Sequence, residues 1–208
     1  MTVPHTPAPV TRGMERGILI LFMAAAAVVG LGFLLPSLRG LGALIGGEAT
    51  LSMLTDAELP HSGTTDAGAA IASATYESAW VTATGLSDGA RWMIGLGIGF
   101  GALTAAATVG AIVFFLFLLM WKRPFHRSLI VATQIAGCAL LIGSMLSGGL
   151  GGLGRMMAAD ELNPIADDVF VIGFQFDPTV LLAGVAILAL SYVFAYGTKL
   201  KRDTEGLV

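Results

Sequence analysis

The sequence predicts a mainly α-helical membrane protein: four transmembrane helices, with a small extracytoplasmic β-sheet cap built from the loops between spans one and two and between spans three and four. Three observations lead there. The 208-residue chain is 55% hydrophobic and only 12% charged, and its mean hydropathy of +0.82 lies outside the soluble globular range. Four long runs carry no Asp, Glu, Lys, Arg or His, and the cations gather on one side of those runs. Twenty-eight glycines follow no G-X-Y period, which excludes collagen. Cys138 is the one cysteine and lies in an apolar run, so no intrachain disulfide framework is possible.

A spanning helix needs roughly 20 mainly apolar residues. Residues 1–16 form a cytoplasmic arm, and residues 17–35 form the first span, which is expected to stop at Pro36. Its apolar run is longer than a signal-peptide core and no A-x-A site follows, so an uncleaved anchor is expected. An outer loop, 36–91, follows. The second span, 92–121, runs from Trp92 to Trp121; at ~1.5 Å per residue it is roughly 45 Å long and must tilt or project beyond the hydrocarbon. Residues 122–128 form a basic cytoplasmic turn and 129–147 the third span, which is expected to end in the glycines of "SGGLGGLGR". The outer loop 148–177 leads to the fourth span, 178–197, and a cytoplasmic tail, 198–208. Asp177 caps the fourth helix and Pro178 takes its first position, where the missing N–H costs nothing.

Orientation follows from the cations beside the spans. Arg12, Arg16, Lys122, Arg123, Arg127, Lys199, Lys201 and Arg202 share one side with Glu15, Asp203 and Glu205. The opposite side holds Arg39, Arg91 and Arg155 against eleven carboxylates. The basic side is therefore expected to be cytoplasmic, with both termini in the cytoplasm and the spans in the cell inner membrane. Trp92, Trp121, Lys122, Arg123, Arg127, Lys199, Lys201 and Arg202 are read as interfacial anchors to the lipid bilayer.

In the outer loops, "VFVIGFQFD" alternates Phe170, Ile172, Phe174 and Phe176, the period of a strand (169–176) with one buried face. "EATLSML" and "ATYESAWVTAT" are weaker strands, and "LPHSGTTDAGAA" a flexible loop.

Chemistry is sparse. Gly95, Gly97, Gly99 and Gly101 in "GLGIGFG" lack the preceding strand of a nucleotide site; as small-xxx-small pairs they are helix-packing residues. An anion cradle at "SGGLGGLGR" with Arg155 is weighed against a glycine exit from the third helix, which is favoured. Asp160, Glu161, Asp167 and Asp168, with His61, match no cation-loop spacing and are read as solvated charge. Gln134, Thr104, Thr108, Ser144 and Ser191 stand out among the polar side chains of the spans; Gln134 is expected to bond a neighbouring helix. Intramembrane ionisable groups mark pumps and proton relays, and none is present here. No nucleophile–base set is visible. A non-enzymatic protein is expected, with no catalytic residue, cofactor, metal or direct nucleic-acid binding. A subunit of a transporter or channel is the alternative.

The chain also resembles the bacterial membrane family known as domain of unknown function 2975. Pro124-Phe125 after span two, "FQFDPTVLLAGVAILAL" into span four, and the tail residues Gly197, Leu200, Asp203, Glu205, Gly206, Leu207 and Val208 carry the likeness. The family follows Pro-Phe with a basic amphipathic stretch, where this chain has the apolar "LIVATQIAG". The resemblance implies no reaction. It implies an envelope sensor, or a membrane partner of a small helix-turn-helix regulator, with a cytoplasmic regulatory protein or a homo-oligomer as partner. Asp203, Glu205, Leu207 and Val208 form a tail end that a reader of C-termini could capture.

Overall fold

A computed structural model of the protein describes residues 9–58, 74–121, 127–175 and 177–205. Four long helices, α1 (Pro9–Ile45), α2 (Asp88–Met120), α3 (Arg127–Leu162) and α4 (Pro178–Glu205), accompany two strands, β1 (Glu48–Leu54) and β2 (Ser78–Thr84). Each helix contains a stretch long and apolar enough to cross a membrane, consistent with a multi-pass membrane protein. The chain packs as two units: residues 1–36, 102–145 and 177–208 in the first, and 37–101 and 146–176 in the second.

The first unit is helical, and its helices meet where side chains are missing. A Cβ on Gly30 of α1 would stand 2.9 Å from a methyl of Val109 on α2. Gly137 of α3 and Gly184 of α4 face each other: a Cβ on either would lie 3.1 Å from the other's carbonyl oxygen. Lipid is as apolar as leucine, so close van der Waals packing of this kind holds membrane helices together. Phe115 and Phe194 add a tilted ring pair, centroids 6.2 Å apart.

The second unit contains the sheet. β1 and β2 pair antiparallel from Glu48↔Thr84 to Leu54↔Ser78. Alternation decides which face is buried: Ala49, Leu51, Met53 and Ala83 enter a core with Leu44, Leu86, Ala90, Ile94, Ala158 and Ala159. The other face carries Thr50, Thr82 and Trp80 outward, and the hydroxyls of Thr50 and Thr82 lie 3.1 Å apart.

Three expectations need correction. The first helix does not stop at Pro36: α1 continues to Ile45 with Pro36 inside it. One proline removes one amide bond, a loss that apolar helices of this type tolerate. The helix ends instead at Gly46-Gly47, where Gly47 adopts φ +90° and its N–H bonds to the Leu44 carbonyl, a left-handed cap that favours glycine.

Nor do the glycines of "SGGLGGLGR" end α3, which runs through them to Leu162. They are contact points. A Cβ on Gly154 would sit 2.7 Å from the backbone N of Ile94, and one on Gly152 would sit 2.6 Å from the Phe174 ring.

Finally, residues 169–175 form no strand. Only Thr55↔Phe170 bridges them to the end of β1, and Ile172 and Phe174 are exposed; Phe176 lies outside the described residues. The two weaker candidates are the ones that pair.

Candidate functional site

The second unit gathers three helix ends around the hairpin, and polar side chains tie them together. Ser87 precedes α2. Its Oγ accepts the Ala90 N–H at 3.3 Å, while Glu161 of α3 accepts both the Ser87 N–H at 2.9 Å and the Ser87 hydroxyl at 2.5 Å. This is the reciprocal pattern of a capping box, with its acid supplied 74 residues away. Arg91, one turn into α2, donates from Nη2 to the Leu44 carbonyl at 2.5 Å and lies 3.7 Å from Asp88. A cation on the terminal carbonyls of α1 opposes the negative end of that helix's dipole.

Asn163 plays the matching role at the end of α3. Its side-chain amide donates to the Phe170 carbonyl at 2.9 Å, and its Oδ1 accepts the Phe170 N–H at 3.0 Å. An asparagine side chain thus stands in for a neighbouring strand. Thr55 Oγ1 donates to the Val169 carbonyl at 3.2 Å and accepts the Ala57 N–H. The left-handed residues Asp167 and Asp168, φ 52° and 56°, turn the chain between these anchors.

Three surfaces result. The outward sheet face centres on Trp80, 78% exposed, opposite Ser52 and beside Thr82. A groove of about 500 Å³ runs between α1 and α2, lined by Leu41, Leu44, Ile45, Arg91, Trp92 and Gly95 among others. Its walls are apolar, and the Arg91 guanidinium in it is paired with the Asp88 carboxylate, which lines the same groove. A third space, of only about 20 Å³, lies beside Arg155, Ser52 and Gln175. That is room for a single water.

The sequence-derived residues fall as follows. A Cβ on Gly97 would stand 2.5 Å from the Gly151 Cα, and one on Gly101 would stand 2.9 Å from Ser147 Oγ, whereas Gly95 and Gly99 have nothing within 4 Å. Ser147 Oγ donates to the Gly97 carbonyl at 2.8 Å. Trp92 and Trp121 are exposed, as is Lys199. Arg127 opens α3, and Lys201, Arg202, Asp203 and Glu205 continue α4, which therefore extends past the expected end of the fourth span. Lys122, Arg123, Leu207, Val208 and His61 lie outside the described residues.

Arg155 sits in regular helix, not in an anion-cradling loop. Glu161, read as solvated charge, is the α2 cap, and no group of three metal-ligating side chains occurs among the described residues. Thr108, Ser144 and Ser191 donate to carbonyls of their own helices. The residues that sequence reasoning missed are Ser87, Asn163, Gly137 and Gly184. Only Ser87, placed before Asp88 and a long apolar run, left a local signal.

Asp177 caps α4 as the sequence predicts: its Oδ1 accepts the Thr179 N–H at 2.9 Å. Bonds from the Thr179 hydroxyl and N–H hold its carboxyl below the usual aspartate range.

No family model, curated protein or solved structure matches the chain.

Proposed function

We propose that the chain is a non-enzymatic four-span protein of the cell inner membrane, with an extracytoplasmic hairpin head that recognises a partner or ligand. On this reading it is an envelope sensor, or the membrane partner of a small helix-turn-helix regulator. The basic turn (Lys122, Arg123, Arg127) and the tail (Lys199, Lys201, Arg202) carry the signal to a cytoplasmic protein. One observation carries the recognition role. Trp80 stands exposed at the centre of a sheet face whose reverse side is packed into a core, in a unit whose helix ends are tied by Glu161 and Arg91 and whose chain after α3 is held by Asn163. Large exposed aromatics on rigid scaffolds are the usual anchors of interfaces. The cation asymmetry of the sequence supports the orientation. The resemblance to the family of domain of unknown function 2975 supports the regulatory link.

The orientation is tested by cysteine accessibility in a Cys138→Ser background. Thr82→Cys reacts with a membrane-impermeant maleimide in intact spheroplasts, and Lys199→Cys reacts only after permeabilisation. The reverse pattern would overturn the reading. For the signalling role, a photo-crosslinker at Arg123 or Lys201 captures a cytoplasmic protein; if neither position captures one in cells, that role is rejected.

A further inference from the structure

Gln134 breaks the apolar pattern of α3. It lies seven residues into a helix that begins at Arg127, about 10 Å along the axis, at hydrocarbon depth if the chain spans a bilayer. The sequence leads one to expect a hydrogen bond from it to a neighbouring helix of the same chain. The structure instead turns it outward: Gln134 is exposed and makes no hydrogen bond among the described residues. It shares a face, within about 100° of arc at 3.6 residues per turn, with Val131, Ile135, Cys138, Ile142 and Met145. All of these are exposed, Ile135 by 55% and Ile142 by 60%. Four hydroxyls of the spans differ from this amide: Thr108, Thr133, Ser144 and Ser191 each bond to their own helix backbone.

A primary amide facing lipid leaves donors and an acceptor without partners, which hydrocarbon cannot compensate. None of the described residues supplies that partner, and a second copy of the chain can. The amide is self-complementary, since it donates and accepts at once, and a twofold axis through this face sets Gln134 against the partner's Gln134. Beside the stripe, and sharing Val131 and Ile135 with it, runs a groove of about 590 Å³ floored by Ala107, Gly110 and Ala111. Its small residues admit side chains of a crossing helix.

We infer that the protein is a homodimer in the membrane, joined along α3 by a Gln134–Gln134 amide pair with the Cys138 thiols of the two copies close together. The inference rests on the membrane reading, and it goes beyond the proposed function by naming the interface and its polar lock.

Native membranes supply the test, because Cys138 is the chain's one cysteine. Copper-phenanthroline oxidation, which takes two electrons from a pair of thiols to form one disulfide, should yield a covalent dimer through Cys138. It should yield none through Leu182→Cys in a Cys138→Ser background, although Leu182 on α4 is exposed too. Gln134→Leu should weaken dimerisation about three- to fifteen-fold, the range of interhelical hydrogen bonds in membranes, and Gln134→Asn should restore most of it. Because Gln134 is exposed and makes no hydrogen bond among the described residues, the variant should keep its fold and its membrane fraction. A membrane-embedded chain that gives no Cys138 dimer, gives a Cys138 adduct to a different protein, or dimerises undiminished as Gln134→Leu overturns the inference alone. A chain released by alkaline carbonate overturns the membrane reading beneath it.

Discussion

Gly97→Ala is the sharpest probe of how the second unit is packed. The new Cβ would stand 2.5 Å from the Cα and 2.6 Å from the N of Gly151, and 3.1 Å from the Ser147 carbonyl oxygen. Carbon atoms rest at ~3.5–4.0 Å, and both closest atoms are backbone, so no rotamer change relieves the clash. The helices must part by about 1 Å. A gap of ~0.5–1 Å forfeits a quarter to a half of each dispersion contact along the seam. It also stretches the 2.8 Å bond from Ser147 Oγ to the Gly97 carbonyl past hydrogen-bonding range. Overpacking of this kind costs ~1–3 kcal/mol, and the lost interhelical bond costs about 0.6 kcal/mol more. Better helix propensity returns at most ~1 kcal/mol.

The net effect is a destabilisation of about 1–3 kcal/mol. Gly95→Ala, two residues away, meets nothing within 4 Å and should be neutral or stabilising by up to ~1 kcal/mol. The partner change Gly151→Ala is also informative, because its Cβ would sit at an ordinary 3.6 Å from the Gly97 Cα and should be tolerated. Denaturant titration of the purified protein in micelles, or steric trapping in bilayers, reads these differences. If Gly97→Ala and Gly95→Ala agree within ~0.5 kcal/mol, the reasoning from backbone approach is wrong.

Glu161→Ala should cost ~0.5–2 kcal/mol, as loss of an N-cap partner does, and hydrogen exchange should quicken at the Ser87 and Ala90 amides before it does elsewhere in α2. Asn163→Ala should cost about 1–3 kcal/mol by leaving the Phe170 backbone unpaired; its signature is faster exchange at Phe170, with Asn163→Asp only partly rescuing because it lacks the amide donor. For Asp177 the folded carboxyl titrates below its ordinary value, so its cap contributes fully above about pH 4. That contribution is lost as pH falls through the lower, folded value, and protection of the Thr179 amide should follow that course. Asp177→Asn should retain the cap and remove the pH dependence.

The helices were legible because their evidence is local. A charge-free apolar run is readable residue by residue, and Asp177-Pro178 announces α4 with two adjacent side chains. Glycine is different: it ends a helix when its neighbours are solvent and tightens a helix contact when its neighbour is another backbone. Nothing inside "SGGLGGLGR" distinguishes the two. The answer lies with Gly97 and Ile94 on α2, against which Gly151 and Gly154 pack. In the same way, Gly95 and Gly97 are equivalent as motif members and opposite in environment.

The alternating segment after Val169 failed for a related reason. Period two describes how side chains would fall if the backbone were extended, but a strand also needs a ladder on which to lie. At Phe170 both backbone groups are taken by the Asn163 side chain. β1 supplies the Leu54 carbonyl, to the Val171 N–H, and the residues just after it supply the Asp56 N–H and the Thr55 hydroxyl, both to the Val169 carbonyl. The α2 start shows the same substitution of tertiary for local partners. "LSDGA" offers the serine of a capping box with no acid three residues on, and α3 supplies it as Glu161. The acid that reads as surface charge in the sequence therefore couples the start of α2 to the end of α3. Removing it should loosen the head under the hairpin while leaving the apolar spans intact.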